Sequence, residues 1–233
     1  MTNTDVSTNI PVLYHDEHIV IVDKPSGLLV HPGQGYCKDK RTLLKLVRNQ
    51  TGKYLFPIHR LDRPVSGVIL FALSSEIARK IKDNWHSEDT IKKYVTLARG
   101  HMDNPGSFDF SLKDKSSGIL KEALTLFWPL HHFEDTTLYK VQIKTGRHHQ
   151  IRRHFSRRCM NIIGDTTHGK STVNHHFMEH YNLHRIFLHA SELQIKHPVS
   201  NKLLKIQCPL PDELSKTLDM MGTVCIPIFR DDL

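Results

Sequence analysis

Residues 59–72 read His-Arg-Leu-Asp-Arg-Pro-Val-Ser-Gly-Val-Ile-Leu-Phe-Ala. The stretch sets one carboxylate, Asp62, between two arginines, Arg60 and Arg63, just ahead of a proline turn. Val68 to Ala72 then forms a continuous apolar run of the kind that becomes a strand covered on both faces. Neighbouring positive charge favours the ionised form of a carboxylate and keeps it available as a nucleophile. A salt bridge on a surface turn would use the same residues, so these positions alone leave both readings open.

Short β patterns surround this run. Val12 to Tyr14, the polar turn HDEH and Ile19 to Val22 read as a hairpin that ends in the turn-rich DKPSG. Tyr94 to Ala98 is a further strand, and Tyr139, Val141 and Ile143 alternate with polar residues as a half-buried strand does. Leu193 and Ile195, then Leu204 and Ile206, flank the turn HPVSN as a second hairpin.

Helices are expected in three places. Ser74 or Ser75 caps one carrying Ile77, Ile81 and Trp85 at every fourth position. A second runs over roughly 147–158, and a last one starts at Pro211, carries Leu214, Leu218 and Met221, and stops at Gly222. Residues 100–125 are weakly patterned and read as a connection or variable insertion. Strands and helices mixed without strict alternation point to an α+β fold.

The 233 residues suit one large domain, or two halves sharing a sheet; residues 1–10 read as a flexible N-terminus and 11–233 as a single catalytic domain. Lys and Arg total 32 against 24 Asp and Glu, a net charge of +8, and 18 histidines add charge below neutral pH. That balance favours a polyanionic partner, with a membrane surface as the other candidate. No apolar run approaches membrane-span length, and MTNTDVSTNI has neither the basic start nor the apolar core of a secretory signal. Cys37, Cys159, Cys208 and Cys225 form no CxxC pair, which suits free thiols in the cytoplasm.

A second chemical cluster is KTGRHHQIRRHFSRR, residues 144–158, where Lys144, Arg147, Arg152, Arg153, Arg157 and Arg158 stand with three histidines and no acid. Ile151 and Phe155 anchor one helical face while Arg153 and Arg157 share another. Thr145-Gly146 makes a tight strand-to-helix turn that aims Arg147 and the first backbone NH groups at an anion. RNA phosphate is the anion expected. A solvated basic helix face is the plainer alternative. The histidine pairs 131–132, 148–149 and 175–176 lack HExxH spacing and companion cysteines, so no metal site is assigned.

Five segments in order resemble the RluA-type pseudouridine synthases. They are KPSGLLVHP (24–32), HRLDRPVSG (59–67), KKYVTLARG (92–100), KTGRHHQIRR (144–153) and IGDTTHG (163–169) with LHA (188–190). The resemblance implies a mixed, largely antiparallel central sheet with flanking helices and a basic RNA-binding cleft, here without an S4 domain. It implies Asp62 as the nucleophile and Arg147 as the arginine that pairs with it. Tyr94 would stack on the target base and assist proton removal from carbon 5, and Arg60 would fill the gap left by the flipped uridine.

Arg63, His149, Arg152, Arg153 and Arg157 complete the expected RNA-contacting set. Within the family, HRLDRPxSG, TGRxHQxRRH and GDxxHG are most similar to the TruC subgroup, which modifies a T-stem uridine of tRNA at conventional position 65. Val65 stands where threonine is usual, and His168 where others have tyrosine. The expected protein is thus a monomeric tRNA-modifying isomerase without cofactor or metal. A ribosomal-RNA synthase and a non-catalytic RNA-binding protein of the same fold are the alternatives.

Overall fold

Every residue from Ser66 to Ala72 is buried in the computed structural model, which describes residues 9–31 and 41–222. The apolar run read from sequence is therefore a central strand. The described residues form two compact units, 9–31 and 41–90 with 194–208, and 91–193 with 209–222.

In the first unit, β1 (Val12–His15) and β2 (Ile19–Lys24) form the expected antiparallel hairpin. Helix α1 (Leu43–Thr51) follows, then β3 (Phe56–Pro57), β4 (Ser66–Ala72) and helix α2 (Ser75–Asp83). Strand β4 pairs antiparallel with β2 from Gly67 opposite Lys24 to Ala72 opposite Ile19, and with β3. Ser74 caps α2 by accepting from the Ile77 amide, and Ile77 and Ile81 are buried as the spacing requires. Trp85 lies past the end of α2, and its ring stacks on His59 with centroids 4.9 Å apart.

The second unit begins with β5 (Ile91–Arg99) and continues through β6 (Gly106–Phe108), β7 (Leu112–Lys113), β8 (Leu120–Lys121), β9 (Thr125–His132) and β10 (Thr136–Ile143). Helices α3 (Gln150–Arg157) and α4 (Ser171–Tyr181) and strand β11 (Leu188–Lys196) complete its main segment. Its strands run in the order β11-β5-β10-β9-β6, with β7–β8 as a separate hairpin. Residues 194–208 return to the first unit, where the end of β11 and β12 (Leu203–Gln207) make the second expected hairpin and His197 Nε2 lies 2.9 Å from Asp16 Oδ2. Helix α5 (Asp212–Met220) belongs to the second unit, with Pro211 at its N-cap position.

Period-two alternation divides the second unit into layers. On β5, Val95 and Leu97 enter a cluster with Leu138, Phe177 of α4, and Leu214 and Leu218 of α5. Tyr94 and Thr96 point to the other face, opposite Val141 and Tyr139 of β10. That face is covered by α3, whose Phe155 ring meets the Tyr139 ring edge-on at 5.4 Å. Ile151 and Phe155 are the buried anchors of α3, as their spacing predicts.

The segment 100–125 is more ordered than a connection. β6 extends the sheet by pairing with β9, and the β7–β8 hairpin is closed around Asp114. Among the cysteines, Cys159 is exposed and Cys208 buried, both free thiols; Cys37 and Cys225 lie outside the described residues. No helix of the described residues is long and apolar enough to cross a membrane.

His154 is fully buried on α3. Its Nε2 lies 3.2 Å from the Phe110 carbonyl, and its Nδ1 lies 2.9 Å from Thr125 Oγ1. Burial, assisted by the charges of Arg153 and Arg157, pushes it down to about 4 from 6.5. The folded form therefore resists a proton that the unfolded chain accepts. Its contribution is intact above pH 6.5 and is lost as the pH falls towards 4. Chemical denaturation should show stability declining through that window in the wild type. His154→Gln should flatten the decline, and an unchanged slope would assign the acid sensitivity elsewhere.

Candidate active site

In the first unit the carboxylate of interest sits on a turn held from below. The Lys24 side chain is fully buried, and its ammonium donates to the carbonyls of Pro25, Leu28 and Arg63. A buried ammonium without such partners would carry a heavy desolvation cost, so this one is a structural clamp. Gly27, at φ +80, donates its amide to the Arg63 carbonyl, and Ser26 Oγ donates to that of Pro64. The KPSG turn thus grips the two residues that follow Asp62.

The turn closes on itself as well. The Val65 amide donates to the Asp62 carbonyl, and the Val65 side chain is buried, so the apolar residue in place of threonine packs into the core. His59 Nε2 accepts from the Leu70 amide at 3.1 Å, which fastens the start of HRLD to β4. Asp62 itself is partly exposed and Arg60 is exposed. Arg63 is exposed too, with its Nε donating to the Gly27 carbonyl.

In the second unit Tyr94 is 7% exposed on the face of β5 that α3 covers. Lys92 shares that face. Burial, with the charge of Lys144 beside it, pushes its amine down to about 8. The turn after β10 differs from the sequence reading. The Arg147 amide donates to Gln150 Oε1, and Arg147 Nε donates to the Glu122 carbonyl. Helix α3 therefore starts at Gln150, and the Arg147 amide is satisfied inside the protein rather than aimed at an anion. Gln150 also receives Thr145 Oγ1 and donates to the Leu124 carbonyl and Thr125 Oγ1. One buried amide thereby fixes the whole TGR turn. The reading from sequence passed it over because an isolated glutamine carries no charge signal.

Arg152 also departs from expectation. It is 3% exposed, and its Nε and Nη2 donate to Asp165 Oδ2 and Oδ1 at 2.8 and 2.7 Å. A guanidinium closed off in a bidentate pair cannot also serve as an RNA phosphate ligand, and it braces the GDTTHG loop instead. Burial alone would raise the Asp165 carboxyl. The Arg152 guanidinium and the amides of His168 and Thr167 outweigh it and hold the carboxyl below its usual range. Gly164 is at φ +78, where a Cβ would run into the Arg185 carbonyl. Arg153 stays partly exposed and Arg157 exposed; Arg157 lies over the Phe110 ring at 4.8 Å. His149 adopts a left-handed conformation at the entry to α3.

The chain matches the family model described as RNA pseudouridylate synthase over residues 18–157. It belongs to that family. This synthase is 36% identical over 234 residues to tRNA pseudouridine synthase C of Vibrio cholerae serotype O1, covering 91% of this chain and 96% of the relative. It is 32% identical to the protein of the same name from Haemophilus influenzae, covering 91% and 98%. Its fold is similar to that of human RNA pseudouridylate synthase domain containing 4, with a TM-score of 0.74 at 23% identity, over 91% of this chain and 93% of that one. Human RNA pseudouridylate synthase domain containing 1 gives 0.71 at 20% identity, over 95% and 98%. Among the described residues no cluster of three or more His, Cys, Asp or Glu is arranged to hold a metal ion.

Removing one member of the Arg152–Asp165 pair should be costly in the synthase. Arg152→Met strands a buried carboxylate and should lower unfolding free energy by about 3 to 5 kcal/mol. Adding Asp165→Leu should recover only part of this, because the Thr167 and His168 amides then lose their acceptor. Full recovery in urea titration would mean that those two bonds contribute nothing.

Proposed function

We propose that this synthase isomerises uridine to pseudouridine in tRNA, with the T-stem uridine at conventional position 65 as its target. The observation that carries the reading is the HRLD carboxylate, Asp62, on a turn clamped by Lys24, Ser26 and Gly27. Its relatives named tRNA pseudouridine synthase C supply the substrate class.

Asp62 acts as the nucleophile, attacking either carbon 1′ of the sugar or the base. The bond from N1 to carbon 1′ breaks, the uracil rotates, carbon 5 bonds to carbon 1′, and the bond to Asp62 breaks to restore the free carboxylate. The proton leaves carbon 5 with help from Tyr94, and N1 gains one. Reactant and product are isomers, so the balance calls for no redox partner, phosphate donor or metal. Arg147 is the arginine assigned to pair with that nucleophile. The base must leave its helix to be reached, which costs a few kcal/mol, and Arg60 offsets part of this by occupying the gap. Arg153 and Arg157 meet backbone phosphates, which position the RNA without reading it. The protein acts as a monomer in the cytoplasm, with residues 11–233 as one catalytic domain.

The test is tritium release from tRNA transcribed with uridine labelled at carbon 5. Wild type should release tritium and Asp62→Asn should fall by at least about 10⁴-fold, the scale of removing a nucleophile, while still binding tRNA. A transcript with cytidine at position 65 should release none. Equal release by Asp62→Asn would end the nucleophile assignment, and release from ribosomal RNA alone would end the tRNA assignment.

A further inference from the structure

A cavity of about 730 Å³ lies in the second unit between the β7–β8 hairpin, the entry to α3 and the GDTTHG loop. Lys113, Lys115, His148, His149, Arg153 and His168 line it. The acid beside them, Asp114, is tied up. Its carboxylate accepts from the hydroxyls and amides of Ser116 and Ser117 and from Lys121 Nζ, and the Ser116 bond leads in holding it well below the usual carboxylate range. The turn is therefore stiff and its negative charge is met locally. Next to these cations the hairpin exposes Ile119 and Leu120, at 63% and 67%. A surface that mixes apolar and cationic groups suits sugar and phosphate together better than a bare anion.

His149 Nδ1 and His168 Nε2 stand 2.9 Å apart, and the His148 ring stacks on His149 at 3.7 Å. A nitrogen-to-nitrogen hydrogen bond needs one proton between the two rings. It survives when both are neutral or when one is charged, and it is broken when both are charged, because two donors then face each other. The geometry thus keeps its bond with one added proton and loses it with two. Arg153 faces it from α3, and Lys113 and Lys115 face it from the hairpin. From its own loop the facing acid is Asp165, which is neutralised by Arg152. With the groove empty these cations oppose the proton, and a bound phosphate reverses that balance.

We propose that this groove binds the phosphate backbone of the RNA substrate and that the His149–His168 pair takes up one proton as it does so. The proposal rests on the RNA-modifying reading above. Affinity then rises as the pH falls, and the β7–β8 hairpin is a determinant of which RNA is held.

Fluorescence anisotropy with labelled tRNA tests both parts, using the full chain carrying Asp62→Asn so that no turnover intervenes. Between about pH 8 and 5.5, log Kd should fall by up to one unit per pH unit, and His168→Tyr should flatten that dependence while leaving the thermal midpoint in place. Lys113→Gln, Lys115→Gln and Arg153→Gln should each reduce the slope of log K against log salt by about 0.7 to 0.9. His168→Gln serves as a second variant if His168→Tyr folds poorly. Unchanged salt slopes in all three variants, or an unchanged pH dependence in the His168 variants, overturns the proposal. Wild-type tritium release separates the two failures. Release from tRNA with unchanged slopes removes the groove alone, whereas no release and no binding removes the tRNA reading and the groove with it.

Discussion

The bidentate contact of Arg152 with Asp165 sets the conditions under which the second unit holds its loops. Taking two ions out of water costs several kcal/mol each, and their mutual attraction repays this only when the remaining bonding capacity is filled. Here it is. The carboxylate accepts two bonds from the guanidinium and two more from the Thr167 and His168 amides. Charge-assisted bonds contribute about 1.5 to 3 kcal/mol each, so four of them on one group offset its burial, and the carboxyl stays ionised. A loop without regular structure, 164–169, is pinned to a helix by its own acid. His168 is held in place as part of that arrangement, with its carbonyl receiving Ser156 Oγ and Asn161 Nδ2.

The first unit reaches the same end with a single buried cation. The ammonium of Lys24 is coordinated by three carbonyls, and one of them belongs to Arg63, immediately after Asp62. Backbone carbonyls are partial charges fixed by the chain, so the lysine can be satisfied only if the KPSG and HRLDRP turns keep their relative position. The energetic demand of a buried charge becomes geometric precision beneath the proposed nucleophile. Asp62 and Arg60 meanwhile stay accessible on the outer side of the turn. In each unit the charge that braces the motif, Lys24 or Arg152, is buried, while Arg60, Arg63, Arg153 and Arg157 are not.

This division explains what the sequence could and could not reveal. Strands β1, β2, β4, β5 and β10 and helices α2, α3 and α5 were readable because each carries an uninterrupted apolar period. Strand β9 escaped because Pro129 interrupts it at a bulge, where the register shifts between Leu138 and Tyr139 of β10. Helix α4 escaped because Phe177 is its sole buried residue, leaving almost no periodic signal. Segment 100–125 looked like a connection because its strands are two or three residues long, too short for any period to register. At the site, HRLD and TGR stood out by composition, and Lys24 and Gln150 lay within quoted segments, but their role of fixing these turns runs through carbonyls and amides that a side-chain pattern does not show.

Arg152 and Arg153 show the limit most sharply. They are adjacent and chemically identical, and a reading by composition assigns both to phosphate. One residue along a helix is a rotation of about 100°, since a turn takes 3.6 residues. Ile151 and Phe155 fix which way that rotation falls: they seat α3 on the sheet, so Arg152 turns towards Asp165 and Arg153 towards solvent. The apolar anchors therefore decide the chemistry of the charged residues between them. A basic run on an amphipathic helix is best divided by the phase of its apolar neighbours before any of its charges is assigned to a ligand.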